Sequence, residues 1–350
     1  MRNISKNLII WYSQFKRDLP WRNTSDPYLI WVSEIILQQT QVDQGISYYF
    51  NFIKTFPNIQ SLAQANIDEV LNIWQGLGYY SRARNMYHTA NVIVNSLNDK
   101  FPENFIELKK LKGIGDYTAA AIASFSFKEP IPVVDGNVFR VLSRLYGIFE
   151  STQTSNGKKT FYNKALDLID QKQPDVFNQA MMEFGALQCT PTNPNCNLCI
   201  FKSICFAYNR GLISELPLKK QKIKKRERYF YFLHLIYKDT FFIEKRTSQD
   251  IWKLLHQFPL IESDSEISID EIVNHKLWNK IFKNINPKIN SNIVKKKHVL
   301  SHQIIHANFL KIEVPSTNEF IDKNLINIHL EDLNKYSIPR LIDRYLNDNK

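Results

Sequence analysis

The stretch 111-LKGIGDYTAAAIASF-125, followed closely by 133-VVDGNVFRVLSRL-145, decides how the first half of the chain is read. Residues 105–111 carry helical periodicity, Lys112-Gly113-Ile114-Gly115 breaks it, and 116–125 resumes as an Ala-rich helix. Two glycines in so short a turn let backbone N–H groups approach an anion with no Cβ in the way. Lys112 adds a cation at the same place. Gly-x-Gly alone would serve any αα-hairpin. Pro130 and Pro132 end this region, and Asp135 is placed to cap a further helix running through Leu145. A carboxylate at an N-cap is favoured by N–H donors and by the helix dipole, so Asp135 is expected to stay ionised.

Working outward, the pattern to about residue 210 is helical throughout. Asp26-Pro27 is a helix start, a carboxylate N-cap with proline at the first position. The run that follows places Ile30, Trp31, Glu34, Leu37 and Gln38 on one face. Residues 66–74 form another periodic stretch, stopped by Gly76 and Gly78. Beyond a Pro- and Lys/Arg-rich segment at 215–228 the texture changes. RYFYFLHLIY (228–237), DTFFIEKR (239–246) and KHVLSHQIIHANFLKIEV (297–314) alternate as strands do, and LIDRYL (341–346) reads as a closing helix. A helical domain followed by an α+β domain is the expected layout for 350 residues.

The net charge of +11 is unevenly spread. Residues 219–228 hold seven basic side chains and one acidic, so more than half of the excess lies in one segment. Such a run is a solvated linker or a nucleic-acid contact. With 44% hydrophobic residues the chain is not a disordered one. No apolar run is long enough to span a membrane, and the N-terminus has no secretory pattern, so a cytoplasmic protein with no membrane partner is expected. All four cysteines fall within Cys189-x6-Cys196-x2-Cys199-x5-Cys205, which argues against a disulfide scaffold. Four thiolates so close can hold one metal centre, zinc or iron–sulfur. Zinc ribbons usually present two Cys-x2-Cys pairs, and here there is one.

These motifs together resemble the MutY adenine glycosylase family of the helix–hairpin–helix endonuclease III superfamily. The resemblance is carried by RDLPWR (17–22), PYLIWVSEIILQQTQV (27–42), WQGLGYYSRARN (74–85), GIGDYTAAAI (113–122), VVDGNVFRVLSR (133–144) and FNQAMMEFGALQC (177–189). It implies a multi-domain protein. An all-α helix–hairpin–helix glycosylase domain (1–214) would carry one 4Fe–4S cluster on Cys189, Cys196, Cys199 and Cys205. A basic linker (215–228) and a Nudix-like α+β domain (229–350) would follow. The implied activity is base excision repair on double-stranded DNA by a monomer, removing adenine opposite 8-oxoguanine or G.

The resemblance also implies roles. Glu34 matches the acid that protonates the leaving adenine. A carboxylic acid donates near neutral pH only when its pKa is raised, as apolar neighbours such as Ile30, Trp31 and Leu37 would do. Asp135 would stabilise the oxocarbenium-like sugar, with Asn137 holding that carboxylate or a water and Tyr117 assisting it. Bifunctional members of the superfamily carry a nucleophilic lysine at the position of Tyr117, so little strand cleavage is expected. Trp21, Arg22 and Gln179 would line the adenine pocket. Gln39, Leu77 and Tyr79 would wedge into the base stack, and Lys112, Gly113 and Gly115 would hold phosphates.

The C-terminal match departs from the family in two places. Leu254-Leu255-His256-Gln257 stands where Gly-Leu-Trp-Glu is usual before Phe-Pro. Leu300-Ser301-His302 replaces the usual Phe-Ser-His that reads 8-oxoguanine, keeping the hydrogen-bonding parts and losing the ring. No Arg-Glu-x2-Glu-Glu box occurs, which speaks against nucleotide hydrolysis. Two other readings are an endonuclease III-like pyrimidine glycosylase and a non-catalytic iron–sulfur DNA-binding protein. Glu34 and Tyr117 oppose the first, and retention of both Glu34 and Asp135 opposes the second.

Overall fold

The computed structural model describes residues 4–218, 224–283, 285, 287–290, 292–317, 320 and 324–348. The chain divides into two compact units, one of residues 1–64 and 85–221 and another of 65–84 and 222–350. Of the segment 215–228, residues 219–223 lie outside the described part, and the first strand begins within it, at Arg226.

The first unit is built from α1 (Ile4–Phe15), α2 (Pro27–Ile36), α3 (Val42–Thr55) and α4 (Ile59–Gln64), and then, α5 (Ile67–Ile73) and the first turn of α6 (Ser81–Ser96) belonging to the other unit, from Asn85 onward. Next come α7 (Phe105–Leu108), α8 (Asp116–Phe127), α9 (Gly136–Tyr146), α10 (Ser155–Leu166), α11 (Pro174–Leu187) and α12 (Phe206–Asn209). Asp26 caps α2 as expected, its side chain accepting from the Tyr28 N–H. The helix stops sooner than the apolar pattern does. Leu37 is its C-cap, still helical and lining one cavity with Ile30 and Glu34, and Gln39 turns left-handed (φ 62°).

The hairpin lies between α7 and α8. Gly113 has φ 84°, and a Cβ there would meet the Asn85 side chain at 2.6 Å, so its glycine is required on both counts. Gly115 caps α8, whose Ala119–Ala123 segment is wholly buried. Helix α9 starts on the Asp135 cap and packs on α11 around Leu142, Phe161, Phe177 and Phe184.

The second unit holds a mixed sheet with β1 (Arg226–Tyr237) at its centre. It lies antiparallel to β2 (Thr240–Lys245) and parallel to β7 (Gln303–Glu313) over the register Arg226↔Gln303 to Ile236↔Glu313. The other strands are β3 (His256–Gln257), β4 (Leu260–Ser263), β5 (Lys288–Ile289), β6 (Val294–Val299) and β8 (Ile326–His329). Among the described residues α13 (Ile269–Val273) and α14 (Lys276–Phe282) add Ile272, Trp278 and Phe282 to the sheet core, and α15 (Arg340–Asn347) buries Tyr345 flat on Phe309, ring centres 3.9 Å apart. Ser301 and His302 sit in the turn between β6 and β7, not on a strand. Leu254, where the family pattern has glycine, adopts φ 67°. No described helix is long and apolar enough to cross a membrane.

Helix α8 ends on Lys128, left-handed at φ 56° with an exposed side chain. Glycine takes that conformation without a Cβ clash. The variant Lys128→Gly is expected to raise unfolding free energy by about 0.5–1 kcal/mol in urea titrations; a loss of stability would contradict the left-handed cap.

Candidate active site

One cavity of about 230 Å³ in the first unit gathers most of the expected catalytic and pocket residues. Helix α2 brings Glu34, the first turn of α8 brings Tyr117, the cap and first turn of α9 bring Asp135 and Asn137, and α11 brings Gln179 and Glu183. Trp21 and Arg22 come from the short turn before α2.

Glu34 is only 5% exposed. Burial raises its pKa, the Tyr117 hydrogen bond lowers it, nearby Asp135 raises it and Arg22 lowers it, and the result is about 7. The Tyr117 hydroxyl donates to Glu34 Oε2 at 2.5 Å. Its hydrogen-bond partner is therefore the glutamate and not the aspartate it was expected to assist. Burial, with both carboxylates nearby, holds the Tyr117 phenol well above its ordinary value, so it remains a donor.

Asp135 accepts from the Val138 N–H at 2.8 Å and from Asn137 Nδ2 at 2.7 Å. These donors and Arg140 favour its charge, yet burial outweighs them and its pKa is raised. The expected pull of the helix start is present but does not win. Asn137 is itself held through Oδ1 by Arg140 Nη2 at 2.8 Å, and Arg140 also donates to the carbonyls of Gly185 (2.6 Å) and Cys189 (2.7 Å).

The opposite wall is ionic. Glu183 takes two hydrogen bonds from the Arg22 guanidinium, at 3.0 and 2.7 Å, and two from that of Arg17, at 2.9 and 2.7 Å. Burial pushes the Glu183 carboxyl up, but the arginine hydrogen bonds more than reverse this, to about 2. One cavity thus holds a carboxyl near 7 and another near 2, which separates a proton donor from a fixed anion. Glu183 escaped the sequence reading, although it lies one helical turn after Gln179 inside a quoted motif. Gln179 accepts from the Tyr12 hydroxyl at 2.7 Å, and Trp21 meets Tyr49 edge to face at 5.4 Å.

Of the other expected residues, Lys112, Gly113 and Gly115 are exposed at the hairpin and Gln39 is exposed after α2, all in the first unit. Leu77 and Tyr79 belong to the second unit. There Tyr79 has φ 47° and its hydroxyl hydrogen-bonds Ser301 Oγ. Tyr79, Ser301 and His302 line a pocket of about 510 Å³.

The four cysteines are unpaired and half-buried, between the end of α11 and the start of α12. Cys189, Cys199 and Cys205 pack against the core cluster that contains Phe184 and Phe201. The Phe201 N–H points at Cys199 Sγ (3.4 Å) and Arg144 Nη1 at Cys189 Sγ (3.5 Å), and Cys199 feels the charge of all three others. No three His, Cys, Asp or Glu among the described residues are spaced to close on a single ion. A polynuclear iron–sulfur group, wider than one ion and stabilised by N–H donors to its sulfurs, suits this donor set.

Residues 32–165 match the family model of the HhH-GPD superfamily base excision DNA repair proteins, and residues 231–348 match that of the NUDIX domain. A thermostable thymine-DNA glycosylase superposes with a TM-score of 0.55 at 27% identity, over 59% of this chain and 95% of that one. An endonuclease III solved in a non-covalent DNA complex superposes with a TM-score of 0.52 at 18% identity, over 60% of this chain and 96% of that one, which shows the fold. The first unit therefore has the endonuclease III fold of base excision glycosylases, a class whose iron–sulfur cluster is typically 4Fe–4S. Adenine DNA glycosylases are more similar still. That of Buchnera aphidicola subsp. Schizaphis graminum is 41% identical over 305 residues, 86% of this chain and 85% of the relative. The mouse enzyme is 44% identical over 223 residues, 60% of this chain and 43% of its own. The chain belongs to the adenine DNA glycosylase family, hydrolases acting on N-glycosyl bonds.

The raised pKa of Glu34 has a sign in stability. The unfolded chain ionises this group near 4.5 and the folded one near 7, so its stabilising protonation is complete below 4.5 and lost as pH rises through 7. Glu34→Gln should match the wild type near pH 4 and be more stable by roughly 3 kcal/mol at pH 8. Equal denaturant midpoints at pH 8 would mean that Glu34 is not held protonated.

Proposed function

We propose that the protein is a monofunctional adenine glycosylase that flips adenine out of double-stranded DNA and hydrolyses its N-glycosyl bond when the partner is 8-oxoguanine or G. The observation that carries this reading is Glu34, a buried carboxyl near neutrality in a cavity sized for one nucleobase. We assign residues 1–214 to the glycosylase domain and 229–350 to the Nudix-like domain that reads the opposite base, with the basic segment 215–228 between them, its last three residues already paired in β1.

Adenine leaves poorly until a ring nitrogen, N7, is protonated. Glu34 supplies that proton, and Tyr117 fixes the direction from which it comes. As the bond to C1′ breaks, positive charge grows on the sugar and Asp135 stabilises it from the end of α9, its carboxylate steadied by Asn137. Water then completes hydrolysis at C1′. Trp21, Arg22 and Gln179 shape the wall against the base, with Arg22 locked to Glu183. Tyr117 has no amine to attack the sugar, so the product strand stays continuous. Lys112, Gly113 and Gly115 hold phosphates, Gln39, Leu77 and Tyr79 fill the stack, and Ser301 and His302 meet the 8-oxoguanine edge.

In single-turnover assays on duplexes with A opposite 8-oxoguanine, release should fall as pH rises through about 7, as Glu34 loses its proton. Glu34→Gln should slow it by ~100- to 10,000-fold at unchanged DNA affinity. Near-normal release by that variant would remove Glu34 from the chemistry.

Cys189, Cys196, Cys199 and Cys205 would hold one 4Fe–4S cluster, which would shape the loop they lie in. Anaerobically purified protein should be yellow-brown with about four irons per chain; stoichiometric zinc without iron would reject the assignment.

A further inference from the structure

Beside the pocket of Tyr79, Ser301 and His302 lies an ion cluster to which no role has been given, drawn from separate stretches of the sequence. Its centre is Arg228 on β1, a guanidinium only 5% exposed. Its three nitrogens reach three different segments. Nε and Nη2 grip both oxygens of Glu262 on β4, at 2.7 and 2.8 Å. Nη2 also donates to Asp250 Oδ2 at 2.5 Å, and Nη1 to Gln303 Oε1 at 3.0 Å. A second guanidinium, Arg246, donates to the same Asp250 oxygen at 3.1 Å. Both arginines lie over the fully buried Phe230 ring, 4.8 and 5.8 Å from its centre. Two cations and two carboxylates balance, and the fork geometry fixes their directions as well as their charge.

The two far arms matter most. Asp250 and Gln303 both line the pocket, each held by a different nitrogen of the one guanidinium. Asp250 starts the turn to Trp252, which is left-handed at φ 58° and is tied back by Arg246 Nε on the Ile251 carbonyl at 2.9 Å. Gln303 follows His302 directly, and its carbonyl closes the turn by accepting from the Leu300 N–H at 2.9 Å.

We propose that Arg228 is the positioning residue of this pocket: holding Asp250 and Gln303 from behind, it sets the gap between the Trp252 turn and the Ser301–His302 turn, and with it the preference for 8-oxoguanine over guanine. This rests on the reading of the pocket as the lesion reader. Arg228 itself does not line the pocket. A base edge is told apart by hydrogen bonds whose strength falls steeply with misplacement, so a loosened wall costs discrimination before it costs catalysis.

The test compares single-turnover adenine release from duplexes with A opposite 8-oxoguanine and A opposite G, using the full-length protein. Arg228→Lys keeps the charge but cannot bridge three acceptors, and Glu262→Gln weakens the anchor without touching the pocket. Both should lower the ratio of the two rates by roughly fivefold, with release opposite G held within about twofold and the unfolding midpoint retained. A Ser301→Ala/His302→Ala variant runs alongside. If it lowers the ratio and the Arg228 and Glu262 variants do not, the positioning role is wrong while the pocket stands. If it leaves the ratio unchanged, the pocket does not read the lesion and both ideas fall. Should Arg228→Lys fail to fold, Glu262→Gln alone decides.

Discussion

Everything in the first unit depends on keeping one carboxylic acid out of water. Glu34 is placed on α2 with apolar residues around it and accepts from the Tyr117 hydroxyl. Burying an ionised carboxylate without a cation costs several kcal/mol, so the group keeps its proton to about pH 7. The rest of the cavity is arranged so as not to undo this. The Arg22 guanidinium, which would favour the charged form, is bonded to Glu183, and Asp135 disfavours a second negative charge. Three carboxyls share one small cavity, and each is held by its own set of partners.

That arrangement explains why the helix starts matter so much. Asp135 is both the cap of α9 and a wall of the cavity, so the same two N–H and amide donors build the helix and orient the carboxylate. Gly185, on α11, would clash with Asn137 at 2.6 Å if it carried a Cβ, which shows how closely α9 and α11 approach there. Arg140 occupies that same seam and joins Asn137 to the carbonyls of Gly185 and Cys189. The cysteine loop and the cavity are thus anchored to the same turn of α9.

Much of this was legible in the residues because it rests on local rules. Asp26-Pro27 and Asp135 are capping signals and the Gly113 turn needs a left-handed residue, so these elements fall where the pattern places them, whereas β1 and β2 fall where strands were expected but bury unbroken runs instead of alternating. What was not legible depends on tertiary contacts. The apolar run from Ile30 continues past Ile36, but Leu37 caps the helix and Gln39 turns away, and periodicity alone cannot show a stop without Gly or Pro. The bond from Tyr117 to Glu34 spans 83 positions and has no sequence signal. For Asp135 the capping donors are visible locally, whereas the burial that raises its pKa is not. The Arg228 cluster joins β1, β4, the turn before Trp252 and the start of β7, and only the folded sheet brings these together.

The proposed chemistry stands on the protonation state of Glu34, and vibrational spectroscopy reads that directly. The protein is labelled with carbon-13 at glutamate carboxyls, and the difference between wild type and Glu34→Gln is followed in the protonated carbonyl band as pH is raised. A single carboxyl should be lost with a midpoint near 7. A midpoint near the ordinary 4.5 would contradict this, because Glu34 would then be ionised at neutral pH and have no proton to give.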